Sequence, residues 1–192
     1  MTFISWINLQ SKSSTQGQWG TTYSSSIASV LIRSGSGANS CFYIRESNGT
    51  TGGPYSDITP STGVWEFWTF RVDDGVARHY LDATESSSTY GSGGNTFDAD
   101  ASGDFQHQRD NDPESYQAWS SVFDASIPSA QISALSRGVN PFAFAHFGII
   151  VMTPLYGNED PEMAWGSPNT GTVTTAAKVA DNPPTELLEN YL

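Results

Sequence analysis

The segment Gly63–Ala83, GVWEFWTFRVDDGVARHYLDA, constrains the fold more than any other part of the chain. Its first half alternates between two sets of side chains that lie on opposite faces of an extended strand. One set is Trp68, Phe70 and Val72, and the other is Phe67, Thr69 and Arg71. Asp74-Gly75 tolerates the positive φ of a tight turn, and Val76–Asp82 is again rich in strand-forming residues. The pattern predicts an antiparallel β-hairpin.

Other segments predict further strands, a helix and a core. Strand-forming residues fill Ile27–Arg33, Cys41–Glu46 and Tyr116–Phe123. A short helix is predicted after Pro128, because proline is tolerated in a first helical turn and Gly138 suits the C-terminal cap. The aromatic residues of the strands are predicted to be core: Trp65, Trp68, Phe70, Tyr80 and Trp119.

Two polar stretches and one apolar run complete the secondary-structure prediction. Residues 11–26 are rich in Ser, Thr, Gln and Gly, and residues 84–112 are almost wholly polar, so both are predicted loops. Phe142–Met152 is the most apolar run and predicts a buried strand, with His146 inside it as a core histidine.

Composition bounds the partners. The 192 residues suffice for one domain with a substantial core. A net charge of -12 argues against binding a phosphate backbone, which requires clustered Lys and Arg. No stretch is long enough for a membrane span, and the N-terminus lacks the pattern of a signal peptide. Nucleic-acid partners and membrane insertion are therefore not expected, and the chain has no visible route of secretion.

Trp65, the Asp74-Gly75 turn and Tyr80-Leu81-Asp82 resemble the laminin-G-like, concanavalin-A-like jelly-roll family, with Ala83 where that family usually has Gly. Thr2–Asn8 resembles a strand of that family, and Ala118–Pro141 is similar to its late strand followed by a short helix. The resemblance implies an all-β fold, a two-sheet antiparallel jelly-roll sandwich with one short helix near 129–137. It places the domain at residues 1–184. Residues 185–192, which have an N-cap residue and apolar residues spaced for one helical face, are predicted to be a docking tail.

The tail from Pro154 to Pro184 resembles a segment of phage-associated, single-domain members of the family. In many members that segment precedes the strand resembling residues 2–8, so the order here is predicted to be circularly permuted. The termini should then lie close together, with the C-terminal strand beside the N-terminal one.

The sequence offers no pattern typical of an enzyme. A glycosidase needs paired carboxylates on one face of a strand, whereas the acidic clusters Asp98–Asp112 and Glu159–Glu162 fall among Gly and Pro in predicted loops. His79, His107 and His146 are scattered and no nucleophile motif accompanies them. We therefore expect a non-enzymatic protein.

A calcium site is one interpretation of the acidic loop. Oxygen ligands alternate before a glycine turn at Asp98, Asp100, Ser102 and Asp104. Arg109 stands where an EF-type loop has its closing Glu, so a solvated acidic loop is the alternative. A rim site that uses Asp82 is a weaker version of the same idea.

Aromatic residues in predicted loops are candidate ligand or partner contacts: Trp19, Tyr23, Tyr55, Tyr90 and Trp165. They suit stacking on sugar rings, capping of the sandwich ends, or a protein interface. In the tail, Leu188 and Tyr191 have the spacing of a helical docking face.

The phage-associated resemblance implies a non-enzymatic virion surface protein: a capsid decoration, fibre or spike component made in the host cytoplasm. Its partners would be capsid or other virion proteins and further copies of itself as a homo-oligomer on the particle. The alternative is an extracellular, lectin-like module that binds cell-surface polysaccharide. Glycans are the partners in that case.

Overall fold

The computed structural model describes residues 1–10, 16–21, 29–34, 40–45, 51–52, 58–74, 76–87, 105–107, 115–153, 162–163 and 170–171. Strands predominate in these ranges. They are β1 (Thr2–Leu9), β2 (Gln16–Thr21), β3 (Ser29–Ser34), β4 (Ser40–Arg45), β5 (Thr51–Gly52), β6 (Trp65–Asp73), β7 (Val76–Leu81), β8 (Thr84–Glu85), β9 (Phe105–His107), β10 (Ser115–Phe123), β11 (Ile149–Thr153), β12 (Glu162–Met163) and β13 (Thr170–Gly171). Helix α1 is Ser129–Leu135, and a 3-10 helix is Pro141–Phe147.

The strands form two larger antiparallel sheets and one small one. The six-stranded sheet has the order β11-β10-β1-β6-β7-β8, the five-stranded sheet has the order β5-β4-β3-β2-β9, and β12 pairs with β13. This is the predicted two-sheet, antiparallel jelly-roll sandwich with one short helix. β1 has β10 on one edge and β6 on the other. Because both edges are occupied, the prediction that a C-terminal strand lies beside the N-terminal one is wrong.

The β6–β7 hairpin has the predicted register, with Asp73 opposite Val76 and Asp74 at φ 47°. A second tight turn follows, in which Leu81 pairs with Thr84 across Asp82-Ala83. Both turn residues have positive φ, 47° and 67°, as a two-residue type I′ turn requires. Ala83 therefore adopts the left-handed conformation for which the resembling family usually has glycine.

Both faces of the six-stranded sheet are buried. The inner cluster consists of Phe3, Ile7, Leu9, Trp68, Phe70, Ala77, Leu81 and Val122. The outer cluster consists of Ile4, Trp6, Phe67, Tyr80, Ala118, Phe123, Ile127, Ile132 and Leu135. The last two belong to α1, so the helix covers the outer face. Each large side chain buried here contributes about 1.5–3 kcal/mol.

Most predicted strands and the helix are confirmed, including β1, β3, β4, β6, β7, β10 and α1. Trp68, Phe70 and Tyr80 are buried as predicted. Trp65 and Trp119 are only half-buried and pack at the edge of the outer cluster, so their prediction as core residues is wrong.

Two predicted loops contain strands. Residues 16–21 form β2 inside the predicted loop 11–26, and β8 and β9 lie inside the predicted loop 84–112. Polar and glycine-rich composition concealed these strands, because pairing with neighbouring strands outweighs weak local preference.

The run Phe142–Met152 is not one buried strand. Its first part belongs to the 3-10 helix that begins at Pro141. The side chain of Asn140, which precedes that helix, accepts a hydrogen bond from the Phe142 N–H (2.9 Å). Gly148, at φ 75°, ends the helix before β11. His146 is exposed, so its prediction as a core histidine is also wrong.

Candidate functional site

Most residues predicted as site residues lie outside the described ranges. Trp19 is described only as part of β2, where its backbone lies opposite Ile32 and His107. The aromatic and tail contacts outside the ranges are Tyr23, Tyr55, Tyr90, Trp165, Leu188 and Tyr191, and the calcium ligands outside them are Asp98, Asp100, Ser102 and Asp104. Their roles stay predictions. The described residues include no group of three or more His, Cys, Asp or Glu side chains placed to hold a metal ion.

A β-bulge interrupts β10 on the outer face. Ile4 pairs with Ser121 and Trp6 pairs with Ala118, so Ser5 of β1 faces two residues of β10 instead of one. Trp119 is one of these two residues, and its φ is 51°. A bulge bends its strand and re-aims side chains, and bulges are frequent beside functional sites.

Buried hydroxyl groups hold the bulge in place. The Ser5 Oγ lies 2.7 Å from the Ser120 Oγ. The backbone carbonyl oxygens of Trp6 (3.2 Å) and Ala118 (3.5 Å) are alternative acceptors for the single Ser5 hydroxyl proton. Ser5 and Ser120 are each 1% exposed. Because these polar groups are shielded from water, their mutual hydrogen bonds favour the bulged register over a regular one.

Trp119 is the unusual residue of this region. A positive φ is rare for bulky residues and costs about 1–2 kcal/mol relative to ordinary backbone regions. The indole is half-buried and packs against the outer cluster. Strained residues of this kind persist where the surroundings enforce them, and they cluster at binding sites. Trp119 is thus a candidate ligand contact.

A shallow depression lies beside Trp119, between the sheet and the end of α1. It is lined by Trp6, Phe67, Trp119, Leu135, Gly138, Val139 and Pro141. Its cavity volume of about 10 Å³ admits roughly one water molecule. The depression cannot enclose a sugar ring, so a ligand would lie on its aromatic rim.

A polar cluster occupies the same face near the start of α1. Arg71 of β6 and Arg78 of β7 are directly opposite in the strand register, and the Arg71 Cζ lies 5.2 Å from the centre of the Tyr80 ring. Arg78 Nε is 3.3 Å from a Glu85 carboxylate oxygen. Burial raises the pKa of Tyr80 above its usual 10.0, so its hydroxyl stays protonated at neutral pH. We call Arg71, Arg78, Tyr80 and Glu85 the arginine cluster.

The carboxylates of Glu66 and Asp82 accept hydrogen bonds from backbone groups. Both oxygens of buried Glu66 accept from the Ser61 N–H, at 2.8 and 3.0 Å. The Asp82 carboxylate accepts from the Phe67 N–H at 2.7 Å. Displacement of water around the Asp82 carboxylate raises its pKa above the usual 3.8, although the residue as a whole stays exposed, and the Phe67 hydrogen bond partly opposes that shift. Both groups serve the fold.

Solved structures share this architecture. No family model matches the chain, and no curated protein matches it either. A Bacteroides ovatus protein described as a candidate carbohydrate-binding protein matches with a TM-score of 0.63 at 15% identity, over 89% of this chain and 50% of its own. Domain 4 of AbnA, an extracellular arabinanase from Geobacillus stearothermophilus in complex with arabinotriose, matches with a TM-score of 0.57 at 15% identity, over 70% of this chain and 65% of its own.

The binding domain of botulinum neurotoxin serotype D matches with a TM-score of 0.51 at 15% identity, over 71% of this chain and 36% of its own. The chain thus spans less than two thirds of the length of each of these three proteins. At such low identity the similarity shows the fold, a β-sandwich of the jelly-roll kind.

Sequence reasoning missed both features of the outer face. The repeated serines Ser120-Ser121 within a predicted strand were the available signal for a bulge, since small polar residues fit the crowded, hydrogen-bonded interior of one. For the arginine cluster the signal was Arg71 and Arg78, which the Asp74-Gly75 turn places opposite each other.

Proposed function

We propose that the protein is a non-enzymatic, carbohydrate-binding module that recognises polysaccharide at the outer face of its six-stranded sheet. The observation that carries the proposal is Trp119, a half-buried indole held at positive φ on the rim of a shallow apolar depression. A flat aromatic ring of this kind offers a surface for the apolar face of a sugar.

The structural relatives support the proposal. The Bacteroides ovatus protein is described as a candidate carbohydrate binder, and the arabinanase domain was solved with arabinotriose. A shared fold does not by itself transfer function, so the function depends on the site of this chain. The outer face supplies that site, because it combines an apolar rim with polar side chains on one sheet.

The carboxylates support a binding role over a hydrolytic one. Glycoside hydrolysis needs two carboxyl groups about 5–9.5 Å apart that face the substrate, one to donate a proton. Among the described acidic residues, Glu66 and Asp82 accept backbone hydrogen bonds instead. Recognition without bond cleavage requires no such pair.

A glycan array probed with the full chain tests the proposal, followed by calorimetric titration of any glycan that binds. Trp119→Gly removes the indole without the backbone strain, and we expect it to weaken binding about tenfold or more. Val64→Ala is the matched control, because Val64 is an exposed apolar residue, 53% accessible, that does not line the depression. Full binding by Trp119→Gly, or an array without any bound glycan, would contradict the proposal.

A place on the surface of a virus particle is a second proposal, and the sequence resemblance to phage-associated members is its support. The two roles are compatible, because a surface component can bind glycans. Saturable docking of the purified chain to particles that lack it would support the virion role. Absence of docking would leave a free, extracellular module.

A further inference from the structure

We propose that the arginine cluster binds a carboxylate of the ligand, so that the recognised polysaccharide contains uronic acid. This inference rests on the proposed carbohydrate-binding function and specifies its ligand class. It comes from three observations on the described residues: an opposed arginine pair, a fixed guanidinium, and no described carboxylate within ion-pair distance of Arg71.

The arginine pair is unfavourable without a counter-charge. Arg71 and Arg78 occupy directly opposite positions of β6 and β7, and like charges at such positions repel. The whole chain has 20 acidic and 8 basic residues, so carboxylates are abundant. Nevertheless, the one ion pair among the described residues joins Arg78 to Glu85 and gives Arg71 no carboxylate partner. The cluster keeps a net positive charge.

Arg71 is held in one orientation. Its Nη1 donates to the Ile127 carbonyl oxygen (3.2 Å) and to the Ser129 Oγ (3.3 Å). The guanidinium also lies over the ring of Tyr80, which is 1% exposed and cannot move away. An arginine fixed before binding loses little side-chain freedom when it binds, so the cluster is preorganised for a planar anion.

Donor capacity remains in the cluster. The Arg71 Nε is buried and out of reach of a ligand, so the donors open to a ligand are at the Nη end of the guanidinium, where the hydrogen bond to the Ser129 Oγ is exposed. Arg78 is partly accessible, with 27% of its side chain exposed. Guanidinium donors match the two oxygens of a carboxylate, and such bonds are shorter and stronger than neutral ones. A uronate carboxylate fits this chemistry, whereas a neutral sugar leaves the charge uncompensated.

The arginine cluster lies far enough along the sheet from the depression beside Trp119 that the two contact different sugar units of one ligand. Phe67 lines the depression and Arg71 is four residues further along β6, which corresponds to about 13 Å of extended strand. An oligosaccharide of several units therefore contacts the aromatic rim with one sugar and the arginines with another.

The test compares trigalacturonate with its methyl ester, which has the same backbone and no charge, by calorimetric titration against the full chain. We expect the acid to bind about tenfold more tightly than the ester, because charge-assisted bonds are lost in the ester. Arg71→Gln and Arg78→Gln should each abolish that preference, because they weaken binding of the acid far more than binding of the ester. Arg137→Gln is the matched control, since Arg137 is an arginine at the other end of α1 that donates to the Ser133 carbonyl oxygen.

An unchanged urea unfolding midpoint shows that a variant is folded, and Arg71→Lys provides a second check by keeping the charge without the fork of donors. Equal affinity of the wild type for acid and ester would overturn the inference and leave the proposed function in place. Binding of neither form, with neutral glycans bound on the array, would also overturn it. An empty array would overturn the proposed function itself.

Discussion

Trp119 allows the backbone strain to be measured separately from the loss of the indole. Trp119→Ala and Trp119→Gly both remove the half-buried side chain. Full burial makes Trp→Ala cost about 3–5 kcal/mol, so half-burial suggests about 2 kcal/mol of unfolding free energy. The two variants differ in the backbone, because φ at this position is 51° and glycine adopts such values without penalty.

The difference between them has a calculable sign. Alanine keeps a left-handed penalty of about 1–2 kcal/mol, while glycine loses about 0.5–1 kcal/mol more than alanine through chain entropy. Glycine should therefore be the more stable variant by about 0.5–1 kcal/mol, although it lies inside a strand. Urea unfolding, followed by tryptophan fluorescence and fitted with a common slope, resolves such a difference.

The neighbouring residue is the matched control. Ala118 lies in the same strand, is 4% exposed and lacks a positive φ. There Ala118→Gly should cost about 1.5 kcal/mol, the sum of the entropy term and roughly one buried methyl group. The ranking of alanine and glycine should thus reverse between residues 118 and 119. If alanine is the more stable residue at both positions, the assignment of strain to the bulge is incorrect.

Three further substitutions test the structure around the outer face. Thr2→Val should lower the free energy of unfolding in urea by about 2–4 kcal/mol, because the buried Thr2 hydroxyl donates to the Ala125 carbonyl oxygen and accepts from the Ile127 N–H. Thr69→Val is the control, and we expect it to cause no loss, since the Thr69 hydroxyl has no partner among the described residues. Asp82→Asn should equal or exceed the wild type in melting temperature at pH 7, with the difference shrinking as the pH falls through 3.8. The raised pKa of Asp82 means that the folded state binds the proton more tightly, so the wild type loses stability as the pH rises from the unfolded-state to the folded-state pKa. A melting-temperature difference between variant and wild type that stays constant across pH would contradict this reasoning. Gly148→Ala should lower the melting temperature more than Gly63→Ala. Both glycines have positive φ, but only at Gly148 would an added Cβ approach a neighbour, the Asp124 Cβ at 3.3 Å. Equal losses would show that backbone strain, and not this contact, determines the effect.

The parts of the fold that sequence reasoning predicted correctly are those with strong local patterns. The β6–β7 hairpin combines period-two alternation with an Asp-Gly turn, and both signals act within about ten residues. The helix after Pro128 has a similarly local origin. In contrast, β2 and β9 contain few strand-forming residues, and their conformation depends on partners distant in the chain.

The apolar run Phe142–Met152 shows why hydrophobicity alone is insufficient. Asn140-Pro141 starts a helical turn and Gly148 stops it, and these local signals divide a run whose composition suggests one strand. Phe142 is 39% exposed as a result. The candidate site was equally difficult to predict, since a bulge arises from unequal pairing of two strands 113 residues apart, as in the Ser5–Ala118 hydrogen bond.

The outer face explains how one sheet can be both a core and a binding surface. A sheet in a sandwich needs only one face for its core, yet here α1 buries the middle of the second face through Ile132 and Leu135. Seven residues of helix cover only about 10 Å of that face. The depression therefore remains at the end of α1 and the arginine cluster at its start, each supported by packed residues beneath. Because the helix holds both ends in place, substitutions on its buried side should weaken aromatic and ionic contacts together, whereas Trp119 and Arg71 can be altered separately.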